Sequence, residues 1–515
     1  MAKNGTYDAV VIGSGLGSLT AAALLSRAGK RVAVVERNSS LGGAASCYRT
    51  GQLTIEASLH ETADPHDPRD LKHAILNHLG LLDKIDWVPI TNLHTVIGGP
   101  VGEPLELGHG FEAIGDQLSE RFPAQASGVR RLLERMEQTY TTAGALNAAG
   151  ETHSLSKLLF SATESWPIAR DWQLSLDEAL QRDLGNCEGA KCALAANLAY
   201  YADDPRKTWW LFFAVAQGGY FGSGGVFIRG GSTRLSRALA KVVKQSGGDV
   251  FLGRRATDIE IDDTGRPSGV HHAGPNGEAS DRLATQTVLA GCAPSMLAEL
   301  LPEAKRDTLL APYRGLTPSI SLFCAHFGMK QQPANLGLKG YSTILLPDWM
   351  TSLNDYAAAA DLLAAAPAGR LPPLTVVNYG ALDNGLDDDG HILVTVAGVD
   401  HIQNWSGLSK DEERARRDAW LDAILATLDE RYPGFAEAAD ERVFVTARST
   451  RDYLATPGGA IYGFAPEPPT SSILSGIPRS PRTPIPGLFL ASSYGGSGGF
   501  TGAMGAGAQA ARLVL

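Results

Sequence analysis

Hydrophobic positions along this chain fall into short continuous runs and helical stripes, and the first such group lies near the start. Ala9 to Ile12 is an unbroken apolar run, Leu19 to Leu25 has helical spacing, and Arg31 to Glu36 is rich in β-branched residues. From Tyr7 to Glu36 the pattern therefore predicts strand, tight turn, helix and strand, one βαβ unit. Further along, Phe111, Ile114, Leu118 and Phe122 share one helical face, and Val129, Leu132, Leu133, Met136 and Tyr140 another. Ser232 is expected to cap a helix carrying Leu235, Leu239, Val242 and Val243, which Gly247-Gly248 ends. Strands are predicted at Asp249 to Leu252, Thr257 to Ile261 and Thr287 to Ala290. Ala364 to Pro373 reads as a surface connection, and Glu412 to Leu428 as a helix with Trp420, Leu421, Ile424 and Leu428 inward. A final apolar strand, Leu488 to Ala491, leads through a glycine-rich turn into a small-residue helix ending at Leu515.

A chain of 515 residues predicts two or three structural units, and its 44% hydrophobic and 19% charged content predicts folded rather than disordered ones. A net charge of −10 with acidic and basic residues interspersed leaves no cationic face for nucleic acid. Five irregularly spaced cysteines make neither a disulfide framework nor a paired metal site, which points to a reducing, cytoplasmic compartment. His66, His73 and His78 have no carboxylate spacing that would make a metal set, so no metal is expected. The first apolar run is broken by glycines, so no cleavable signal is expected there, and no run reaches the ~18 apolar residues of a membrane span.

Gly13-Ser14-Gly15-Leu16-Gly17-Ser18 follows the first strand and opens the first helix, the context that gives a G-x-G-x-x-G match meaning. Gly13 permits the turn, Gly15 lets backbone approach a pyrophosphate, and the helix N-terminus offers free N–H groups to that anion. Ser18 stands in for the third glycine and is small enough to keep helix and strand close. Glu36 ends the second strand, where it would accept from a ribose hydroxyl pair, with Arg37 beside it. Gly42-Gly43, followed by Ala44, supplies a second bare-backbone turn that favours FAD over NAD, although NAD remains an alternative. The fold class expected is α/β: a discontinuous Rossmann-type FAD-binding domain with a mixed-sheet and helical substrate domain. The flavin domain is drawn from residues 1–70, 225–300 and 480–515, and the substrate domain from 71–224 and 301–479.

These residues resemble the phytoene desaturase, carotenoid isomerase and retinol saturase group of flavoproteins. The resemblance runs the whole length. It includes the N-terminal fingerprint, Gly42-Gly43, Gly224 to Gly231, Gly247 to Ile259, Val288 to Pro294, Gly459 to Gly463 and Pro486 to Ala491. It implies noncovalent FAD, a hydrophobic tunnel, an adenine contact near Ala256, and a flavin ring approached by the C-terminal strand and helix. Ala290, Ser493, Gly502, Ala503 and Met504 would then join the cofactor site. The chain departs from related flavoproteins that carry Gly-Asp at Ser492-Ser493, where a serine hydroxyl could replace the ribityl contact.

The expected reaction is desaturation, saturation or isomerisation of carbon–carbon bonds in a hydrophobic polyene or isoprenoid. His60, within Ser58-Leu59-His60-Glu61, is the candidate proton carrier, with a turn-bound histidine as the alternative. Arg229, before Gly230-Gly231, could reach a polar substrate end or the flavin, or serve as a structural fork, and Tyr462 and Tyr494 could line the ring pocket or pack in a core. The aromatic run from Tyr200 to Phe213 could form a tunnel mouth, dip into a membrane interface, or simply be a buried helix. Two other readings remain open at this point: a flavin amine oxidase, and a flavin-free prenyl-binding chaperone of the GDP-dissociation-inhibitor kind. The residue pattern leaves the oligomeric state open.

Overall fold

The computed structural model describes residues 5–148, 166–275, 280–386, 390–473 and 479–515. At its centre lies a five-stranded sheet in the order Asp249–Phe251, Val32–Val35, Ala9–Ile12, Val288–Ala290, Leu488–Leu490. Every neighbouring pair is parallel. The two innermost sequences, AVVI and VAVV, are buried at every position, as a strand covered on both faces requires. Alternate side chains point to opposite faces of a strand, and here they separate into two cores. Ala9, Val11, Val32 and Val34 meet the helices on one side. Val10, Ile12, Ala33 and Val35 meet Ala256, Ile259, Val270 and Leu283 of a small four-stranded sheet on the other.

The helical side is held by close backbone approach. Helix Leu16–Arg27 packs between Thr233–Gln245 and Gly499–Val514. A Cβ on Gly17 would stand 2.6 Å from the Ala491 carbonyl oxygen and 2.8 Å from that of Ala503. One on Gly507 would stand 2.0 Å from the Gly17 oxygen. The small residues at both helices thus let the end of the chain lie directly against its beginning. Ser18 is buried and donates to the Ala491 carbonyl at 3.2 Å, so the serine in the third glycine position both fits and bonds.

The second lobe is built on a seven-stranded sheet ordered Ala439–Val445, Ser321–Met329, Ile392–Asp400, Leu374–Asn378, Ser342–Leu346, His94–Gly98, Gly102–Leu107. It is mixed, because the Ser342–Leu346 and His94–Gly98 strands run parallel while the other neighbours are antiparallel. Helix Lys410–Arg431, opened by a Ser409–Glu412 capping box, lays Trp420, Ile424 and Leu428 on Phe323, Phe327 and Met329. Helices Phe111–Arg121, Ala126–Ala148, Leu176–Leu184 and Trp210–Ser223 form the helical part. A parallel Rossmann-like sheet with a mixed-sheet and helical lobe is the α/β architecture expected from the sequence.

One expectation changes. Ser232 does not cap helix Thr233–Gln245: its backbone is already helical, and its hydroxyl donates instead to the buried Glu56 carboxylate at 2.6 Å. That carboxyl group also accepts the Ser232 and Leu59 amides, so it is buried with several donors around it. Of the readings open for the aromatic run, Trp210 fits the buried helix. Trp210 is fully buried beneath the Arg135 guanidinium, and the Trp209 indole donates to the Trp172 carbonyl. Among the described residues no helix is long and apolar enough to cross a membrane.

Candidate functional site

A cavity of about 870 Å³ runs from the first glycine turn to the aromatic segment of the second lobe. At its outer end Gly13 sits at φ +93° and donates its amide to the Val35 carbonyl at 2.8 Å, turning the chain from strand to helix. Gly15 follows at φ −62°, and a Cβ built on it would meet no protein atom within 4 Å. The missing side chain leaves open space on the cavity side. Helix Leu16–Arg27 starts there with no side-chain cap, so its first N–H groups and positive dipole end are available to an anion. Gly42, at φ +110°, pairs back onto Gly15, and its amide lies 3.0 Å from the Ser14 carbonyl. Glu36, 5% exposed, accepts from the Ser14 amide and hydroxyl at 2.8 and 2.7 Å and from the Asn38 amide at 2.7 Å. The carboxylate is thereby fixed at the strand end, with lone pairs left for further donors.

Toward the middle of the cavity a second helix start converges on the same space. Helix Gly499–Val514 opens at Gly498 without a side-chain cap, and Gly499, Phe500 and Thr501 line the cavity. The Ser492 hydroxyl and the Tyr494 hydroxyl are buried there with no hydrogen-bond partner among the described residues. Buried polar atoms without partners are costly unless a ligand completes them. Lys72 and Asp70 form a buried ion pair at 2.9 Å behind this helix start, and Lys72 donates to the Thr501 hydroxyl at 2.6 Å.

Most of the residues expected to hold a cofactor face this one cavity: Gly13 to Gly17, Glu36, Arg37, Gly42 to Ala44, Ala256, Ser493 and Ala503. Ala290, Gly502 and Met504 do not. Ala290 is buried in the sheet with its carbonyl accepting from Ala491, and Gly291 and Cys292 take the lining position just beyond it. Gly502 lies against the Ser497 backbone, and Met504 is in the core between helices and sheet. Arg229 is corrected most clearly. Its side chain is 48% exposed and pairs with Asp383 at 2.7 Å, with Asp86 at 3.7 Å, away from the cavity. It is a surface fork.

The inner end is walled by Tyr200, Tyr201, Phe212, Tyr220, Leu322 and Tyr462. Helix Trp210–Ser223 therefore divides its aromatic residues, with Trp210 and Phe213 in the core and Phe212 and Tyr220 toward the cavity. His60 is buried here, its Nδ1 2.7 Å from the Tyr200 hydroxyl, and burial pushes its imidazole down to about 4. His326, also in the wall, is pushed down to about 3 by burial and then by His60. Glu61, which the pattern of residues did not single out, is pushed up to about 8 by burial, opposed by a hydrogen bond with Tyr220.

The hydrogen bonds around Tyr220 support a neutral Glu61. The Tyr220 hydroxyl lies 2.8 Å from Glu61 Oε1 and 2.9 Å from the Leu93 carbonyl, but it carries one hydrogen. A protonated Glu61 can donate to Tyr220 while Tyr220 donates to Leu93, and all three groups are then satisfied. Burial thus favours the uncharged forms of the two histidines and the glutamic acid of this chamber near neutral pH.

Known proteins resemble this chain over most of its length. The model of flavin-containing amine oxidoreductases matches residues 19–515. All-trans-retinol 13,14-reductase of Rattus norvegicus is 22% identical, over 94% of this chain and 81% of its own length. A neurosporene-forming phytoene desaturase of Rhodobacter capsulatus is 25% identical, over 97% of this chain and 92% of its own. Among solved structures, an oxidoreductase from Methanosarcina mazei superposes with a TM-score of 0.61 at 16% identity, covering 98% of this chain and 99% of its own. Putrescine oxidase bound to putrescine superposes with a TM-score of 0.60 at 15% identity, covering 99% and 98%. At those identities the solved structures speak to the fold, while the family match spans nearly the whole sequence. The chain belongs to the FAD-dependent family of flavin-containing amine oxidoreductases.

Proposed function

We propose that this protein is an oxidoreductase with noncovalent FAD, acting on carbon–carbon single or double bonds of a hydrophobic polyene or isoprenoid. The observation that carries the substrate class is the inner chamber: aromatic and apolar walls in which burial favours the uncharged forms of His60, Glu61 and His326 at neutral pH. Such a chamber has no standing anion to receive an ammonium group, and it does not charge an apolar chain for displacing ion-bound water. The retinol reductase and phytoene desaturase among the relatives support the same substrate class.

For the cofactor, Gly13 to Leu16 would receive the pyrophosphate on free amides, Glu36 the adenosine ribose, and Ala256 the adenine side. Ser492 or Ser493 would reach the ribityl chain, and the start of helix Gly499–Val514 would face the ring. The flavin so held supplies the hydride chemistry. Residues 1–70, 225–300 and 480–515 form the flavin-binding part in this reading, and 71–224 with 301–479 the substrate part. The protein's own contribution is to exclude water, to hold an apolar chain beside His60 and Glu61, and to manage a proton there.

The test is to incubate the flavin-loaded protein with candidate polyenes, with the flavin oxidised and then reduced, and identify products from the change in conjugation. Acid precipitation is expected to release the flavin into solution. Hydrogen peroxide formed from amines with polyenes untouched would replace this reading with amine oxidation. A colourless, flavin-free protein would overturn the cofactor assignment.

A further inference from the structure

Behind the neutral chamber lies a second hollow of about 790 Å³, and no residue lines both. Its rim includes the exposed Asn92, Glu106 and Lys339, so it is open to water, and buried His94 lines it. The His94 ring stacks on Tyr220 at 5° with centroids 6.1 Å apart. His94 Nδ1 lies 3.5 Å from the Tyr220 hydroxyl, and that hydroxyl lies 2.8 Å from Glu61 Oε1 in the chamber. At the two ends of this row, Glu61 Oε2 and His94 Nε2 are buried with no partner among the described residues.

We propose that Glu61, Tyr220 and His94 form a proton relay that connects the apolar chamber with the open hollow behind it. Resting on the reading that an apolar substrate fills the chamber and expels its water, the relay gives Glu61 a way to exchange its proton while the chamber is occupied. In the inward direction, His94 takes up a proton at Nε2 from water of the hollow, which reaches this buried atom when the ring turns toward it, and gives its Nδ1 proton to the Tyr220 oxygen. Tyr220 gives its hydroxyl proton to the Glu61 carboxylate. Each N–H or O–H bond that breaks is matched by one that forms, hydroxide remains in the hollow, and no electrons move. The His94 link, at 3.5 Å, is the longest joint of the row. Glu61 is the end of the row that lines the chamber, and Tyr220 and His94 act through it as positioning residues.

The experiment reads Glu61 itself rather than turnover. Infrared difference spectra of the flavin-loaded protein at neutral pH are expected to show the carbonyl stretch of a protonated carboxyl that Glu61→Gln removes. On transfer to deuterated water that band shifts as the proton exchanges. Exchange is expected to slow on the order of tenfold or more in Tyr220→Phe, which removes a single oxygen, and in His94→Leu. Arg229→Ala is expected to exchange like the wild type. A missing band, or unchanged exchange in both relay variants, would overturn the relay. Inactivity toward polyenes would instead refute the proposed function and leave the exchange result intact.

Discussion

Replacing Gly15 by alanine separates cofactor binding from folding. Its φ of −62° and ψ of 164° suit any L-residue, and the added Cβ would meet no protein atom within 4 Å. The apoprotein is therefore expected to be unharmed, or stabilised by about 0.4–1 kcal/mol through the stiffer unfolded chain. The methyl group projects into the space where an anion would approach the free amides of helix Leu16–Arg27. Losing one charge-assisted N–H contact there costs about 1.5–3 kcal/mol, which weakens FAD binding roughly ten- to a hundredfold. Gly17→Ala is the internal control. Its Cβ would stand 2.6 Å from the Ala491 oxygen, so the helices must part at a cost of about 1–3 kcal/mol even without cofactor. Flavin titration by fluorescence quenching and thermal melting of the apoproteins read the two effects separately. If Gly15→Ala binds FAD as tightly as the wild type, or melts as low as Gly17→Ala, the assignment of this turn to the pyrophosphate is wrong.

Other perturbations test other parts of the structure. Glu61 holds its proton more tightly folded than unfolded, so its contribution to stability is full below pH 4.5 and is lost as pH rises toward about 8. The loss is at most about 1.4 kcal/mol per pH unit across that window, and less where cavity water screens it. Glu61→Gln is expected to flatten the Tm–pH curve over the same range, and an unchanged slope would count against a neutral Glu61. Lys72→Met leaves Asp70 buried and unpaired behind the last helix and is expected to cost about 3–5 kcal/mol, seen as a lower denaturation midpoint. Arg229→Ala breaks only exposed pairs and is expected to change stability by less than about 1 kcal/mol with turnover unaltered. A severe loss of turnover in that variant would return Arg229 to the chemistry.

What the residues determine by themselves is whatever depends on local backbone demands. Gly13 and Gly42 occupy positive φ that side chains avoid, and apolar runs such as Ala9–Ile12 must be covered on both faces, so the turn, the sheet and the small-residue last helix were legible without coordinates. Side-chain direction and electrostatic environment were not. Arg229 lies beside Gly230-Gly231, yet its guanidinium turns outward to Asp383. Ser232 has the right position for a helix cap and spends its hydroxyl on Glu56, a residue far away in the chain. His60 was visible as a titratable group, but its depressed imidazole, its tyrosine partner and the neutral glutamic acid beside it come from burial among strands and helices distant in sequence. Glu61 and Tyr220 are 159 positions apart, and no spacing rule joins them. Charge state is set by neighbours and by exclusion of water, and only the folded chain supplies both.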